Sequence, residues 1–492
     1  MIEFSISETD LPYDPKDKDS LAKYTKLLEN RTLRDFAHIP DDLENVKNKG
    51  LYGQKIENLF FFIKTNNHAG ADFPYIPLEL KTAGLLPTSS RDKHKNISGK
   101  WKAKEALPMS AISFNEIINE DFLSSKFLKK NQNLLLIFYE FEKDKVIYDL
   151  KIRVTGVWSF SEIPSYDKKI IMDDWKLIKS KVMDGEAHNI SRGDTDYLEA
   201  APSATSDTYT TQPYGPKART KKFSFKSGYM HSIIAKLGIS TNQTESLFKE
   251  GDENISLSEK IYEKFKPFIG MKDKDIALSL GIAEKDCKQR HADLAKNILK
   301  AIFGVPKNIN VEEYIDEFSK AEVTIKTVKL NENNMPDQNV SFPAFEYKKL
   351  YKEKWDNSLI KEQVDGKFLF VFFKEINHEC FLDSISYWNM PSEDLEEVKK
   401  IWKKTKECVK SGKIVKEIKK IKNGVIRLNH FPKKTESRVA HIRPHGTTIY
   451  ETYNLPVPDI LTGATSYTKQ CIWLNNNFIR DNIYLKNIEN DV

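Results

Sequence analysis

Three short segments of this chain occur twice, in the same order. Lys55-Ile-Glu-Asn-Leu-Phe60 returns as Lys260-Ile-Tyr-Glu-Lys-Phe265, Leu78-Glu-Leu-Lys-Thr82 as Val323-Thr-Ile-Lys-Thr327, and Leu134-Leu-Leu-Ile-Phe-Tyr139 as Phe368-Leu-Phe-Val-Phe-Phe373. A repeated order of helix-like and strand-like patterns points to a duplicated α/β unit. At 492 residues each copy has chain enough for its own core, so two domains are expected, 1–245 and 246–492. In the first, periodicity predicts a helix over about Asp42–Phe62 and strands over Ile76–Thr82, Leu134–Tyr139 and Val146–Thr155. A helix over Asp173–Met183 follows. A Ser/Thr/Pro-rich loop from Ala200 to Ala218 then leads into the basic, aromatic stretch Lys221–Met230.

The longest apolar runs, Leu59–Ile63, Leu134–Tyr139 and Phe368–Phe373, are strand-length and far short of a membrane span. The N-terminus has no basic region followed by an apolar one, so no secretion signal is expected and the cytoplasm is the expected location. Cys287, Cys380, Cys408 and Cys471 form no Cys-x-x-Cys pair, which predicts reduced thiols and argues against a zinc site. A net charge of +6 mildly favours a polyanionic partner. Lysine-rich Lys399–Lys422, with Val398, Ile401, Trp402 and Val409 near helical spacing, reads as an amphipathic helix with a solvated face. The chain lacks a Gly-x-x-x-x-Gly-Lys-Ser/Thr loop, so no use of ATP is expected. It also lacks a Gly-x-Ser-x-Gly elbow and a His-Glu-x-x-His helix. His68, His94 and His188 have no spacing that requires a metal.

Chemistry concentrates in Asp72-Phe-Pro-Tyr-Ile-Pro-Leu-Glu-Leu-Lys81. On a strand Glu79 and Lys81 share one face and Leu78 and Leu80 the other. Asp72 precedes Pro74 and Pro77, where the chain must bend, so its carboxylate can fold back beside Glu79. Two carboxylates suit Mg²⁺, with Mn²⁺ as a substitute, and Lys81 can orient a water and offset phosphoryl charge. The trio predicts metal-assisted phosphodiester hydrolysis.

The second copy differs where that chemistry would occur. Thr324 stands in place of Glu79, and Glu313–Glu322 offers no counterpart of Asp72, so poor metal binding is expected there. Instead this half carries Arg438 and the run His441-Ile-Arg-Pro444-His445, groups suited to phosphates and base edges.

Several segments carry a resemblance to a known family. Asn48-Lys-Gly-Leu-Tyr-Gly-Gln-Lys-Ile-Glu57, the Asp72…Glu79-Leu-Lys-Thr82 pattern, Asp174-Trp-Lys-Leu-Ile178, Gly185-Glu-Ala-His-Asn-Ile190 and Lys226-Ser-Gly-Tyr-Met230 resemble the MutH/Sau-three-A family of GATC-cutting endonucleases, over nearly the whole chain. The resemblance implies two related restriction-endonuclease-like domains, each a central mixed sheet flanked by helices, the C-terminal one lacking the catalytic carboxylates. It implies Asp72 and Glu79 as Mg²⁺ ligands, Lys81 as the water-orienting lysine and Glu57 as support from the helix. Lys49, Gly50 and Lys226 would approach DNA, and Lys126 or Lys129 would supply an additional lysine. The family's Ile-Arg-Pro-Lys reading loop is absent from the first half, which has Glu199-Ala-Ala-Pro-Ser203. Ile-Arg-Pro occurs only at Ile442–Pro444. Ser224 stands near a family tyrosine implicated in sensing adenine methylation.

A type II restriction endonuclease that cuts double-stranded DNA follows as the expected function, with a C-terminal effector domain. One active site per chain implies self-association on DNA, with looping between two sites, and the free protein can be a monomer. A MutH-like repair nickase and a non-catalytic DNA-binding regulator are the rival expectations.

Overall fold

A computed structural model describes residues 3–39, 46, 48–64, 70–88, 101–203, 208–239, 244–421, 424–446 and 448–490. The chain packs as two compact units. The first comprises Met1–Ile190, Thr195–Lys260 and Val305–Glu322, and the second Ser191–Asp194, Ile261–Gly304 and Val323–Val492. Among the described residues, no helix is long and apolar enough to cross a membrane.

In the first unit the strands are β1 Glu79–Pro87, β2 Trp101–Ala103, β3 Leu107–Ala111, β4 Asn133–Glu140, β5 Ile152–Ser159, β6 Leu198–Pro202 and β7 Lys221–Phe225. They form a mixed sheet in the order β2-β1-β4-β5 and an antiparallel one in the order β3-β7-β6. β1 and β4 run parallel, with Glu79 opposite Leu134 and Lys81 opposite Leu136. The helices α1 Tyr52–Leu59, α2 Lys126–Asn131, α3 Ser165–Met183 and α4 Ser227–Lys236 accompany them. Leu80, Leu135, Ile137 and Tyr139 share a core with Tyr52 and Ile56 of α1. Leu134, Leu136 and Phe138 are buried on the other face, which is why β4 reads as an unbroken apolar run.

Several boundaries differ from the pattern in the sequence. Residues 42–45 and 47 of the expected first helix lie outside the described residues, as do His68 and His94. The described part is a 3₁₀ turn, Lys49–Leu51, leading into α1. α1 ends just before Phe60 and Phe61, which are both buried, and Phe62 then adopts φ 60°. β1 begins at Glu79, not Ile76, because Phe73 and Leu78 close a tight bridge around Pro74 and Pro77. Val146–Thr155 divides into a 3₁₀ turn, Ile147–Asp149, whose Ile147 and Tyr148 are both buried, and β5. The Lys399–Lys422 stretch also divides. Its helix runs Ser392–Ser411 and stops at Gly412, φ 67°, after which Val415–Ile421 is a strand.

The second unit contains the helices α5 Asp273–Ser279, α6 His291–Ile302 and α7 Ser392–Ser411. Its strands include β8 Val323–Leu330, β9 Val340–Ser341, β10 Lys367–Ile376, β11 Glu379–Asn389, β12 Ala440–Pro444 and β13 Gln470–Leu474. β8 and β10 run parallel, β10 and β11 antiparallel, and β9-β13-β12 form an antiparallel sheet. Thr324 lies opposite Phe368 and Lys326 opposite Phe370, the register that Glu79–Leu134 and Lys81–Leu136 have in the first unit. Val398, Ile401, Trp402 and Val409 of α7 pack into a core with Phe368, Phe370 and Phe372.

Candidate active site

β1 places Glu79 and Lys81 together because alternate residues of a strand share a face. Lys81 Nζ donates to Glu79 Oε1 at 2.7 Å. The bend at Pro74 and Pro77 returns Asp72 to the start of the strand, where its Oδ2 accepts from Leu80 N at 2.9 Å. Glu57, on the last turn of α1, adds a third acid: its carboxyl is pushed up by burial and then by Glu79. Asp72 is pushed up to about 7 by burial, followed by the charges of Glu79 and Glu57. Three partly or wholly buried carboxyl groups thus repel one another at one point.

A lysine not anticipated completes the cluster. Lys130 Nζ lies 3.4 Å from Glu79 Oε1, whereas Lys126 pairs with Glu116 at 2.6 Å. Lys126, Lys129 and Lys130 line one side of a groove of about 580 Å³ that also includes Ser110, Glu116 and Glu120. The usable signal was proximity in sequence: Lys130 lies in the last turn of α2, just before β4, and Leu134 of β4 is the residue opposite Glu79.

Glu79 is only 3% exposed, and its second oxygen, Oε2, is buried with no hydrogen-bond partner. A buried carboxylate oxygen left without a donor is costly. Clustered acids with an unsatisfied oxygen and two flanking ammonium groups fit a hard divalent cation. Asp72 and Glu79 could hold such a cation, with Glu57 electrostatically coupled to both.

A family profile described as the DNA mismatch repair enzyme MutH matches residues 61–174, the span that holds Asp72, Glu79, Lys81 and Lys130. The type II restriction enzyme Sau3AI of Staphylococcus aureus is 29% identical over 474 residues, covering 89% of this chain and 94% of that protein. The chain is thus similar to MutH around the acid cluster and to Sau3AI over most of its length.

Other motifs shared with the MutH/Sau3AI family have structural explanations. Asp174 of α3 accepts from the backbone N–H groups of Asp196, Tyr197 and Leu198 at 2.7, 2.7 and 2.8 Å, fixing the entry to β6. Lys226 departs from the expected role at DNA. It is 1% exposed and donates to the Thr195 carbonyl at 2.5 Å, so it secures the turn before α4. Gly50 is exposed on the 3₁₀ turn with Lys49, and its N–H donates to Asn48 Oδ1.

The residues of the second unit that were expected to read DNA separate in the same way. Arg443 and Pro444 are exposed at the end of β12, with the Arg443 guanidinium 5.3 Å from the Trp473 ring centroid. His441, expected to face DNA, is instead buried with Nδ1 2.7 Å from Asn475 Oδ1, and burial lowers its pKa. Alternation puts His441 and Arg443 on one face of β12, so their different exposure comes from the strand leaving the core between them: Ala440, His441 and Ile442 are buried, and Arg443 and Pro444 are exposed. Arg438 is half-exposed and ion-paired with Asp394. At the corresponding places of the first unit, Ala201 lies opposite Lys222 as Arg443 lies opposite Cys471. The first unit thus has alanine where the second has its exposed arginine.

Proposed function

We propose that this protein is a cytoplasmic type II restriction endonuclease that hydrolyses double-stranded DNA at GATC with Mg²⁺, Mn²⁺ substituting. The observation that carries the reading is the buried, unpartnered Oε2 of Glu79 beside Asp72, Lys81 and Lys130. Coverage of 89% of the chain by a restriction enzyme, against a mismatch-repair match confined to residues 61–174, favours restriction over repair nicking. GATC rests on the family resemblance.

In this reading Asp72 and Glu79 hold the cation, and Glu57 adds negative charge from α1. When bound, the cation polarises a phosphoryl oxygen and acidifies water. Lys81 turns its ammonium from Glu79 to the attacking water and the phosphoryl oxygens, where it offsets developing charge. Lys130 does the same from the groove side. The groove of about 580 Å³, with three lysines on it, offers a backbone track for one strand.

The second unit, which makes up most of the expected domain 246–492, is proposed as a duplicate that reads DNA without cutting it. Thr324 takes Glu79's register position. Lys326, in Lys81's position, donates to the Ser341 carbonyl at 3.0 Å, a role for a lysine with no metal site to serve. A single cutting site per chain implies that two chains meet on DNA. Plasmid digestion with and without Mg²⁺, followed by sequencing of the product ends, tests the proposal. Linear product with one repeated end sequence is expected. Nicked product alone would move the reading to repair, and binding without cleavage would move it to regulation.

A further inference from the structure

The scattered cysteines predict no zinc site, yet folding of the second unit brings one of them into a mixed donor set. Asp273 opens α5, His291 opens α6, and Cys380 lies at the start of β11. His291 Nδ1 is 3.1 Å from Asp273 Oδ2, and His291 Nε2 is 3.9 Å from Cys380 Sγ. One ligand atom from each residue can be chosen so that all three lie within 4.8 Å of one another. Tetrahedral zinc with sulfur, nitrogen and oxygen ligands needs separations of roughly 3.3–3.7 Å, so side-chain rotation of about 1 Å closes the set.

The backbone already holds these groups in place. Gly270 N donates to Leu382 O at 2.7 Å and Leu382 N to Met271 O at 2.9 Å, and Lys272 bridges Phe381. These bonds tie the approach to Asp273 directly to the strand bearing Cys380. The His291 ring stands edge-on to Phe373, 5.0 Å between centroids at 76°, which restricts its orientation. Lys274 N donates to Asp273 Oδ1 at 2.7 Å, leaving Oδ2 for the histidine. Side chains fixed by their surroundings make an effective metal site.

We propose that Asp273, His291 and Cys380 bind a thiophilic divalent cation, Zn²⁺, as a structural site of the second unit, with water completing its coordination. The donor set is wrong for Mg²⁺, which takes oxygen ligands in octahedral geometry. A Cys-His-Asp nucleophile does not fit either. An activated thiol needs a depressed pKa, whereas burial, followed by the charge of Asp273, pushes Cys380 up to about 12. On binding, the S–H bond breaks, the proton leaves to solvent and a Zn–S bond forms. The ion would pin α5 and α6 to the β10–β11 hairpin. No residue is shared with the nuclease cluster.

The test uses the full-length, tag-free protein, loaded with Zn²⁺, desalted and analysed for metal by mass spectrometry. Near-stoichiometric zinc is expected in wild type, in Glu79→Gln and in Cys408→Ser. Loss of at least nine-tenths of it is expected in Cys380→Ser and in Asp273→Asn. Co²⁺-loaded wild type should show thiolate-to-metal charge-transfer absorption that Cys380→Ser lacks. If Cys380→Ser does not fold, Asp273→Asn, which keeps the size of the side chain, decides alone. Wild type with negligible zinc, or either folded variant with undiminished zinc, would show the three residues to be only a buried hydrogen-bonded chain. Because Glu79→Gln is expected to keep its zinc, this result is independent of whether the chain cuts DNA.

Discussion

Lys130 and Lys81 approach the same oxygen of one carboxylate, Glu79 Oε1, at 3.4 and 2.7 Å, while the other oxygen of Glu79 is left buried and unpartnered. Two cations on one side of a carboxylate and an unsatisfied oxygen on the other divide its work. One oxygen is held by ammonium groups, and the charge of Glu79 also raises the pKa values of Asp72 and Glu57.

Glu79→Gln and Lys81→Ala are each expected to lower cleavage at least about 100-fold, the cost of removing a group that stabilises transition-state charge. Binding of specific duplex should persist, because neither residue lies in β12 or the 3₁₀ turn at Lys49–Leu51. Plasmid cleavage and a gel-shift assay on the same preparations check both halves. Near-wild-type cleavage in either variant would remove the assignment of the site.

Lys130→Ala should reduce cleavage by about tenfold or more, and Lys126→Ala by much less, since only Lys130 reaches Glu79. Equal effects would mean that the groove lysines act only as a diffuse positive surface. Single-turnover rates at saturating enzyme distinguish these outcomes.

How much of this was legible beforehand depends on the range of the interaction. Glu79 and Lys81 share a face because of a period-two rule that acts over three residues, so their pairing was readable. Asp72 was readable through its prolines. Lys130 was not, since its role depends on α2 meeting the end of a parallel strand pair. Lys226 and His441 look basic and available in sequence, but the fold buries both. Nothing local shows that Lys226 will meet the Thr195 carbonyl. The register shared by β1–β4 and β8–β10 was anticipated by the three echoing segments, because a core-facing pattern specifies strand register. The meeting of Asp273, His291 and Cys380 had no local signal at all.

The acid cluster makes stability depend on pH and on metal. Asp72 has its folded pKa raised from 3.8 to about 7, so the folded state holds the proton more tightly than the unfolded chain. Its contribution is therefore most favourable below pH 3.8 and is lost as pH rises toward 7. Metal-free protein should accordingly gain stability at pH 8 from Asp72→Asn, by on the order of 1 kcal/mol, while losing cleavage. Mg²⁺ should raise the melting temperature of wild type more at pH 8 than at pH 6, and should do little for Asp72→Asn. Thermal melts at the two pH values with Mg²⁺ or chelator check this. A larger Mg²⁺ effect at pH 6 would contradict it.

Arg443 and Arg438 should behave differently although both were expected to read DNA. Arg438 is ion-paired with Asp394, whose carboxylate is almost fully buried. Arg438→Ala leaves that acid without its partner and should act mainly by lowering the melting temperature. Arg443 projects from the end of β12 with its guanidinium by Trp473, and its loss removes no comparable internal partner. Arg443→Ala should therefore melt close to wild type but weaken duplex binding by about 1–3 kcal/mol, the usual worth of a direct base contact. With the second unit as effector, the same variant should cut a two-site plasmid more slowly, and wild type should be stimulated on a one-site plasmid by added short specific duplex. If wild type cuts one-site and two-site plasmids alike, ignores added duplex and is matched by Arg443→Ala, the second unit contributes structure and not recognition.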